Sequence, residues 1–390
     1  MIHVFLNGSA ASAGGGLTYL RNVVPELSAR TDARATVLVG KRLRSELDGL
    51  TNVEFVEMEE GGGTIPRFVR EQTRLPALIR RCGADALWST GNVALRRSPV
   101  PQILLSRNSL YTSEAFYRDL RDRGAWRLWL ETRVKGELAK QSVSWADRTV
   151  VPSEAFAAEL RRWTGSKIAV VHHGFDRKLF FSDTTQLVPP ALEGIRSIDG
   201  PKLLFVSHYN YYRNFETLLR ALAAMQRTWA GIPPRLLLTC RFGPGENPDD
   251  YNSESAAALM HSLGVRDLVL QLGEVPYREL HYLYSTCDLY VTPAYAETFA
   301  HPLVEAMASG LPIVASDIAA HREIAGDAAR YFPYFSPEKL AETLTAVLRS
   351  RDLRSEMSRR GLVRANAFSW RRHVDEMLAI TQEMISDRHN

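Results

Sequence analysis

The sequence predicts an α/β protein with two open parallel sheets, a linker between them and a cleft where ligands bind. Three observations predict it. Apolar runs of strand length alternate with helical segments along the chain, the pattern of parallel sheets covered by helices. The length of 390 residues exceeds one ordinary core, at roughly 100 to 200 residues per domain. The texture also changes at 182–202 (SDTTQLVPPALEGIRSIDGPK), where Pro, Gly and small polar residues collect before a fresh apolar run. In open sheets of this kind, ligands bind outside the carboxyl ends of the strands.

In the first half IHVFLNG, ATVLVG, DALWST, QILLS, RTVVPS and IAVVHHG read as strands, with LTYLRNVVPELSAR as the first helix. In the second half KLLFVSHYN, RLLLTC, LVLQLG, LYVTPAY, LPIVASD and ARYF read as strands. Helical segments from PEKLAETLTAVLRS to SWRRHVDEMLAITQEMI close the chain. The expected division is a first domain at 1–175 and a second at 176–365.

Hydrophobic content of 45% and charged content of 24% are those of a soluble globular protein. MIHVFLNG reads as a first strand and not as a secretory leader. No stretch approaches the roughly 20 apolar residues of a spanning helix. Cys82, Cys240 and Cys287 are far apart and form no CxxC or metal-ligand pattern, which predicts a reducing cytoplasm. Residues 1–175 hold 25 Lys and Arg against 18 Asp and Glu, or +7, leaving 23 against 26, or −3, for 176–390. The basic residues concentrate at 65–83 and 118–140, where Trp126, Trp129, Leu130, Val134 and Leu138 approximate one helical stripe. Such a stripe fits a helix lying on a membrane surface, and it also fits a core-facing side with a solvated basic back. Peripheral membrane contact through the first domain is therefore an open expectation, while no nucleic-acid partner is expected.

The most informative segment is AETFAHPLVEAMASGLPIV, 296–314. Glu297 lies in a loop after a strand run, and Pro302 suits a first helical position. His301 is then the expected N-cap, a weak one, and Glu305 is expected in the first turn. Open amides at a helix start suit a phosphate, and the two carboxylates suit hydroxyls. An acidic helix start that serves stability alone fits the same residues. The helix is expected to end at Gly310. Gly14, Gly15 and Gly16 follow the first strand, where a backbone without Cβ atoms can approach a ligand or simply turn. His208 and Arg213 stand in the loop after the first strand of the second half, placed to meet a departing diphosphate or to cross a surface turn. Arg107 and Asn108 occupy a strand end in the first half. Neither a metal nor another cofactor is expected, since Asp249 and Asp250 sit in a loop away from strand ends and no His/Cys cluster accompanies them. Gly-x-Ser-x-Gly is absent.

Taken together these segments resemble a retaining glycosyltransferase of family 4. ETFAHPLVEAMASGLPIVASD matches its E-x7-E signature with Glu297 and Glu305, and HREIAGDAARYF follows as in the family. AGGGLTYL, VVPSEAF, VVHHGFD and FSWRRHVDEM match further segments, so the resemblance covers nearly the whole chain. It implies the GT-B fold, two facing Rossmann-like domains with an interdomain cleft and a last helix (366–390) that packs back on the first domain. It implies a nucleoside-diphosphate sugar as donor substrate and a hexose-type sugar moved to a glycan, lipid-linked or natural-product acceptor, with retention and without a covalent intermediate. Glu297 would then contact hydroxyls of the sugar and Glu305 those of the ribose. The backbone around Phe299, Ala300, His301, Leu303 and Val304 would meet diphosphate and sugar, with Gly15 and Gly16 approaching from the other domain. His208 and Arg213 stand where the family has an Arg and a Lys on the diphosphate, Ala300 replaces a Gly, and Arg107 with Asn108 replaces a sugar-contacting His. Arg213 and Asn108 are thus the catalytic candidates beside Glu297. A nucleotide-sugar epimerase on the same fold, or a binding subunit weak in catalysis, is the alternative reading.

Overall fold

Strands that are apolar at every position belong in the middle of a sheet covered on both faces, and the chain has two sets of them. The computed structural model describes residues 1–11, 14–57, 63–166, 168–180, 189–246 and 251–389. These group into two units. Met1–Ser113, Arg123–Phe175 and Phe368–Asn390 form the first, and Glu114–Asp122 with Asp176–Ala367 the second.

The chain opens with β1 (Ile2–Asn7), α1 (Gly14–Ser28), β2 (Ala33–Val39), α2 (Lys41–Glu46), β3 (Val53–Glu57), α3 (Thr64–Cys82), β4 (Ala86–Ser89) and β5 (Gln102–Leu105). It continues through α4 (Glu114–Asp122), α5 (Trp126–Trp145), β6 (Arg148–Val151), α6 (Glu154–Thr164) and β7 (Ile168–Val170). The second unit adds α7 (Arg177–Phe180), β8 (Lys202–Phe205), α8 (Phe215–Thr228), β9 (Arg235–Leu238), α9 (Glu254–Ser262), β10 (Val269–Gln271) and α10 (Leu280–Thr286). β11 (Leu289–Thr292), α11 (His301–Ala308), β12 (Ile313–Ser316), α12 (Ala319–Ala325), β13 (Ala329–Phe332), α13 (Pro337–Arg349) and α14 (Arg351–Ala365) complete it, before α15 (Trp370–His389).

The first sheet is parallel, in the order β3-β2-β1-β4-β5-β6-β7, with Val4 opposite Ala35 and Ala86. Side chains alternate across a strand. Val4 and Leu6 therefore join Leu20 and Val23 of α1 and Val374 and Met377 of α15 on one face, while Phe5 joins Leu75 and Ile79 of α3 on the other. α15 begins against Gly174, where a Cβ would lie 2.1 Å from the Trp370 backbone nitrogen. No other residue fits there.

The second sheet is also parallel, in the order β10-β9-β8-β11-β12-β13, with Leu203 opposite Leu236 and Leu289. From β8 the chain winds outward through β9 and β10, then resumes at β11 on the other side. The reversal makes the carboxyl ends of β8 and β11 a topological switch point.

Three readings of the sequence need correction. β3, missed by the strand patterns, is a half-exposed edge strand (VEFVE) whose glutamates break the apolar run. Residues 114–122 leave the linear 1–175 block, because Phe116 packs edge-on against Tyr212 at 6.2 Å and Asp119 accepts a 2.6 Å hydrogen bond from Tyr295. On α5 the apolar stripe does not face the core: Trp126, Leu130 and Val134 are exposed, while the small residues Gly136, Ala139 and Ser142 are buried. In the expected linker, 182–188 lie outside the described residues and Pro190–Ile195 forms a 3-10 turn. Among the described residues no helix is long and apolar enough to cross a membrane.

Candidate active site

The loops leaving β8 and β11 are tied together at the switch point. The Tyr295 amide donates to the Tyr212 carbonyl at 3.0 Å. Asn214, at φ +57°, donates its side-chain amide to the carbonyls of Pro293 (3.2 Å) and Tyr334. Asn is one of the few residues that enter the left-handed region readily, so the loop that carries Arg213 is locked by the residue after it. The Arg213 guanidinium lies over the Tyr212 ring at 4.9 Å and pairs with Glu297. The two side chains are 19% and 11% exposed, so water screens this pair little. The Nε of Arg213 is buried without a hydrogen-bond partner. His208 lies half-buried in the same loop, its carbonyl accepting from the Ser207 hydroxyl at 2.7 Å. The structure thus brings Glu297 and Arg213 together.

His321, to which the sequence assigns no role, sits buried close enough to feel the charge of Arg213. Its Nδ1 is 3.0 Å from the Ser316 carbonyl, which only accepts, so Nδ1 carries the proton. Burial, aided by Arg213, holds its pKa down to about 4 and keeps the ring neutral. Nε2 is a buried acceptor without a partner.

The start of α11 differs from expectation. The N-cap is Ala300, not His301, and it has φ +61° and ψ +67°. That is a left-handed conformation in a residue with a Cβ and no side-chain hydrogen bond to compensate. Pro302 has no amide, and the Leu303 amide bonds the Ala300 carbonyl at 3.0 Å. Phe299 is buried with its ring 5.1 Å from that of His301, and Leu303 and Val304 are core side chains. Because the helix begins at His301, Glu305 lies beyond its first turn and points inside. Tyr284 of α10 donates to its carboxylate at 2.9 Å. Burial raises the Glu305 pKa to about 7, against the lowering effect of hydrogen bonds from Tyr284 and Tyr277. The helix ends at Ala308, with Gly310 at φ +70° just beyond.

In the first unit, Gly14–Gly16 form the opening turn of α1 and not a preceding loop. A Cβ on Gly15 would meet open space, whereas one on Gly16 would lie 3.3 Å from the Ala11 Cα. Arg107 is half-buried and tied down at its strand end. It donates to the carbonyls of Gly15 (3.1 Å) and Thr90 (2.6 Å), its guanidinium stands over the Tyr19 ring at 4.8 Å, and burial lowers its pKa. It fastens the glycine-rich helix start to the loop after β4, the pair of strand ends where the first sheet reverses. Asn108 caps the 3-10 turn Ser109–Tyr111, its carbonyl oxygen accepting from the Leu110 amide at 3.0 Å.

Tyr284, Asn214 and His321 therefore join the residues expected at the site. Their partners lie 21, 79 and 5 residues away in sequence, and no motif marks those pairings. Among the described residues no cluster of three or more His, Cys, Asp or Glu could hold a metal ion. Asp249 and Asp250 lie outside the described residues.

Residues 195–364 match the family model described as Glycosyl transferases group 1, and residues 13–179 match Glycosyltransferase Family 4. The D-inositol 3-phosphate glycosyltransferase of Saccharomonospora viridis is 29% identical over 263 residues, covering 65% of this chain and 59% of that protein. The chain thus spans about six-tenths of the length of the curated relatives it matches. Sucrose-phosphate synthase from Thermosynechococcus elongatus has a TM-score of 0.77 at 19% identity, covering 99% of this chain and 100% of its own. HepE from Anabaena in complex with UDP-glucose has a TM-score of 0.72 at 16% identity, covering 98% and 100%. At these identities the structural likeness carries the fold alone.

Proposed function

We infer the reaction from one premise: the chain belongs to glycosyltransferase family 4 and has the GT-B fold. It is a glycosyltransferase. We propose that it moves a hexose-type sugar from a nucleoside-diphosphate sugar to a hydroxyl of a glycan, lipid-linked or small-molecule acceptor, with retention of configuration and without a metal.

The observation that carries this reading is the Arg213–Glu297 pair at the switch point of the second sheet. A carboxylate suits sugar hydroxyls and a guanidinium suits phosphate oxygens, and a nucleotide sugar presents both within one molecule. Unit charges about 4 Å apart at an effective dielectric near 20 interact by about 4 kcal/mol, enough to favour departure of the diphosphate. The unpartnered Nε of Arg213 supplies one more donor. Glu305, one helical segment further on, would hold the ribose. The acceptor hydroxyl attacks the anomeric carbon from the face that the diphosphate leaves, and its proton departs with the leaving phosphate oxygen. The neighbour solved with UDP-glucose supports a donor of this class. Three well-separated cysteines without a CxxC pair are the sequence feature behind the proposal of a cytoplasmic location.

Thermal-shift measurements with UDP-, GDP- and dTDP-sugars, followed by nucleoside-diphosphate release with and without candidate acceptors, test the reading. Binding to the native state raises the melting temperature by mass action. No shift and no release with any donor would sink it. Conversion of the nucleotide sugar alone, without release, would favour an epimerase.

A further inference from the structure

We propose that the exposed stripe of α5, with the start of α3, seats the first unit on an anionic lipid surface. A helix packed on a core normally turns its large apolar residues inward. α5 does the opposite. It lies on the unit through Thr132, Gly136, Ala139, Ser142 and Val143, while Trp126, Leu130 and Val134, spaced by four on one face, are each more than half exposed. Trp129 extends this face, its ring 6.4 Å from that of Trp126 and its plane under the Arg133 guanidinium at 5.4 Å. On α3, Ile65 and Val69 are likewise more than half exposed. The two helices are neighbours. Phe68 of α3 stacks on Trp145 of α5 at 6.3 Å, and Tyr111 feels the charges of both Arg67 on α3 and Glu131 on α5.

Charge decides the occupant. α3 and α5 together carry nine basic residues against three acidic ones, a net +6, where the whole chain has +4. A second copy would bring the same positive charge against it. An anionic bilayer complements it, takes the aliphatic side chains and Trp126 into the boundary between headgroups and acyl chains, and needs no spanning helix. The surface rests on the reading of this chain as a transferase, for which it would bring a lipid-linked acceptor within reach.

Flotation of the full chain with vesicles of phosphatidylcholine alone, or with about 30 mol% phosphatidylglycerol, at about 50 and about 500 mM salt, tests it. The chain is expected to float with anionic vesicles at low salt, to float far less with neutral ones, and to be released at high salt. The triple variant Trp126→Ala, Leu130→Ala, Val134→Ala is expected to bind at least about tenfold more weakly, with unchanged melting temperature and unchanged nucleoside-diphosphate release in water. Wild-type protein left in the supernatant at low salt, equal flotation on both vesicles, or a triple variant that binds like the wild type would overturn the proposal. So would a concentration-dependent dimer that the triple variant abolishes when neither protein binds vesicles. Vesicle binding of the expected pattern without donor turnover would remove the transferase reading and leave the surface standing.

Discussion

Arg213 and Glu297, 84 residues apart in sequence, form an ion pair where the second sheet reverses direction. The pair is neutral as a whole, so it does not attract a diphosphate by net charge. A donor that engages Glu297 through sugar hydroxyls leaves the guanidinium to the phosphates. On the proposed reading, donor binding would be an exchange of partners, each charge passing from the other to the substrate.

Glu297→Ala is expected to lower transfer by about 10²- to 10³-fold, the usual effect of removing one transition-state contact. Glu297→Gln, which keeps a hydrogen-bond acceptor for Arg213, is expected to be nearly as inactive and as stable as the wild type. Nucleoside-diphosphate release at saturating donor, beside a urea unfolding curve, separates the two effects. Full activity in Glu297→Ala would refute the role assigned to this carboxylate.

Ala300 holds a left-handed conformation without glycine's freedom. Such a conformation costs about 1–2 kcal/mol for an L-residue, and glycine returns about 0.5–1 kcal/mol of that as extra unfolded-state entropy. Ala300→Gly is therefore expected to stabilise the chain by up to about 1 kcal/mol, whereas Ala300→Val, β-branched at positive φ, is expected to destabilise it by more. A urea midpoint for Ala300→Gly below that of the wild type would contradict the strain.

Gly15 has room for a Cβ and lies in a helix, where alanine is favoured over glycine by about 0.5–1 kcal/mol. Gly15→Ala should leave the melting temperature equal or higher. If the backbone there approaches the donor, the same change should raise KM for the donor several-fold. Unchanged kinetics would assign the glycine to helix geometry alone.

Glu305 gives stability a definite pH dependence. Its folded pKa of about 7 exceeds the ordinary 4.5, so between these values the folded state binds more protons than the unfolded state. Stability then falls as pH rises through this window and levels off above about 7, by up to ~3 kcal/mol. Buried His321 and His373, both held down to about 4, act in the opposite sense and weaken the fold as pH falls from 6.5 towards 4. Comparing wild type with Glu305→Gln cancels the histidines. The variant should gain stability relative to wild type between pH 5 and pH 8, and a constant difference across that range would show that Glu305 does not titrate there.

The two sheets were readable in the sequence because their strands are apolar at nearly every position, a pattern helices of ordinary amphipathicity do not share. The placement of Glu297 and Arg213 in loops that follow strands of the second sheet was readable because the apolar runs and the helical segments after them bound those loops. What escaped depends on partners distant in sequence. The tethering of Gly15 by Arg107, the hydrogen bond from Tyr284 to Glu305 and the grouping of Glu114–Asp122 with the second unit join residues 92, 21 and more than 90 positions apart. The α5 stripe failed for a different reason. Periodicity says that one face of a helix is apolar, but here the small residues between the large ones pack more closely on the unit and win the inward side.

The seat of α15 against Gly174 has a consequence for the order in which the chain can mature. Trp370, Val374, Met377 and Leu378 complete the same cluster as Val4, Leu6 and Leu20, so a core begun early in this sequence is closed only by residues far along it. Residues 176–367 can close their own sheet during synthesis. The cluster begun at Val4 and Leu6 stays incomplete until α15 has been made, so the first unit closes only after Asp176–Ala367 has been synthesised.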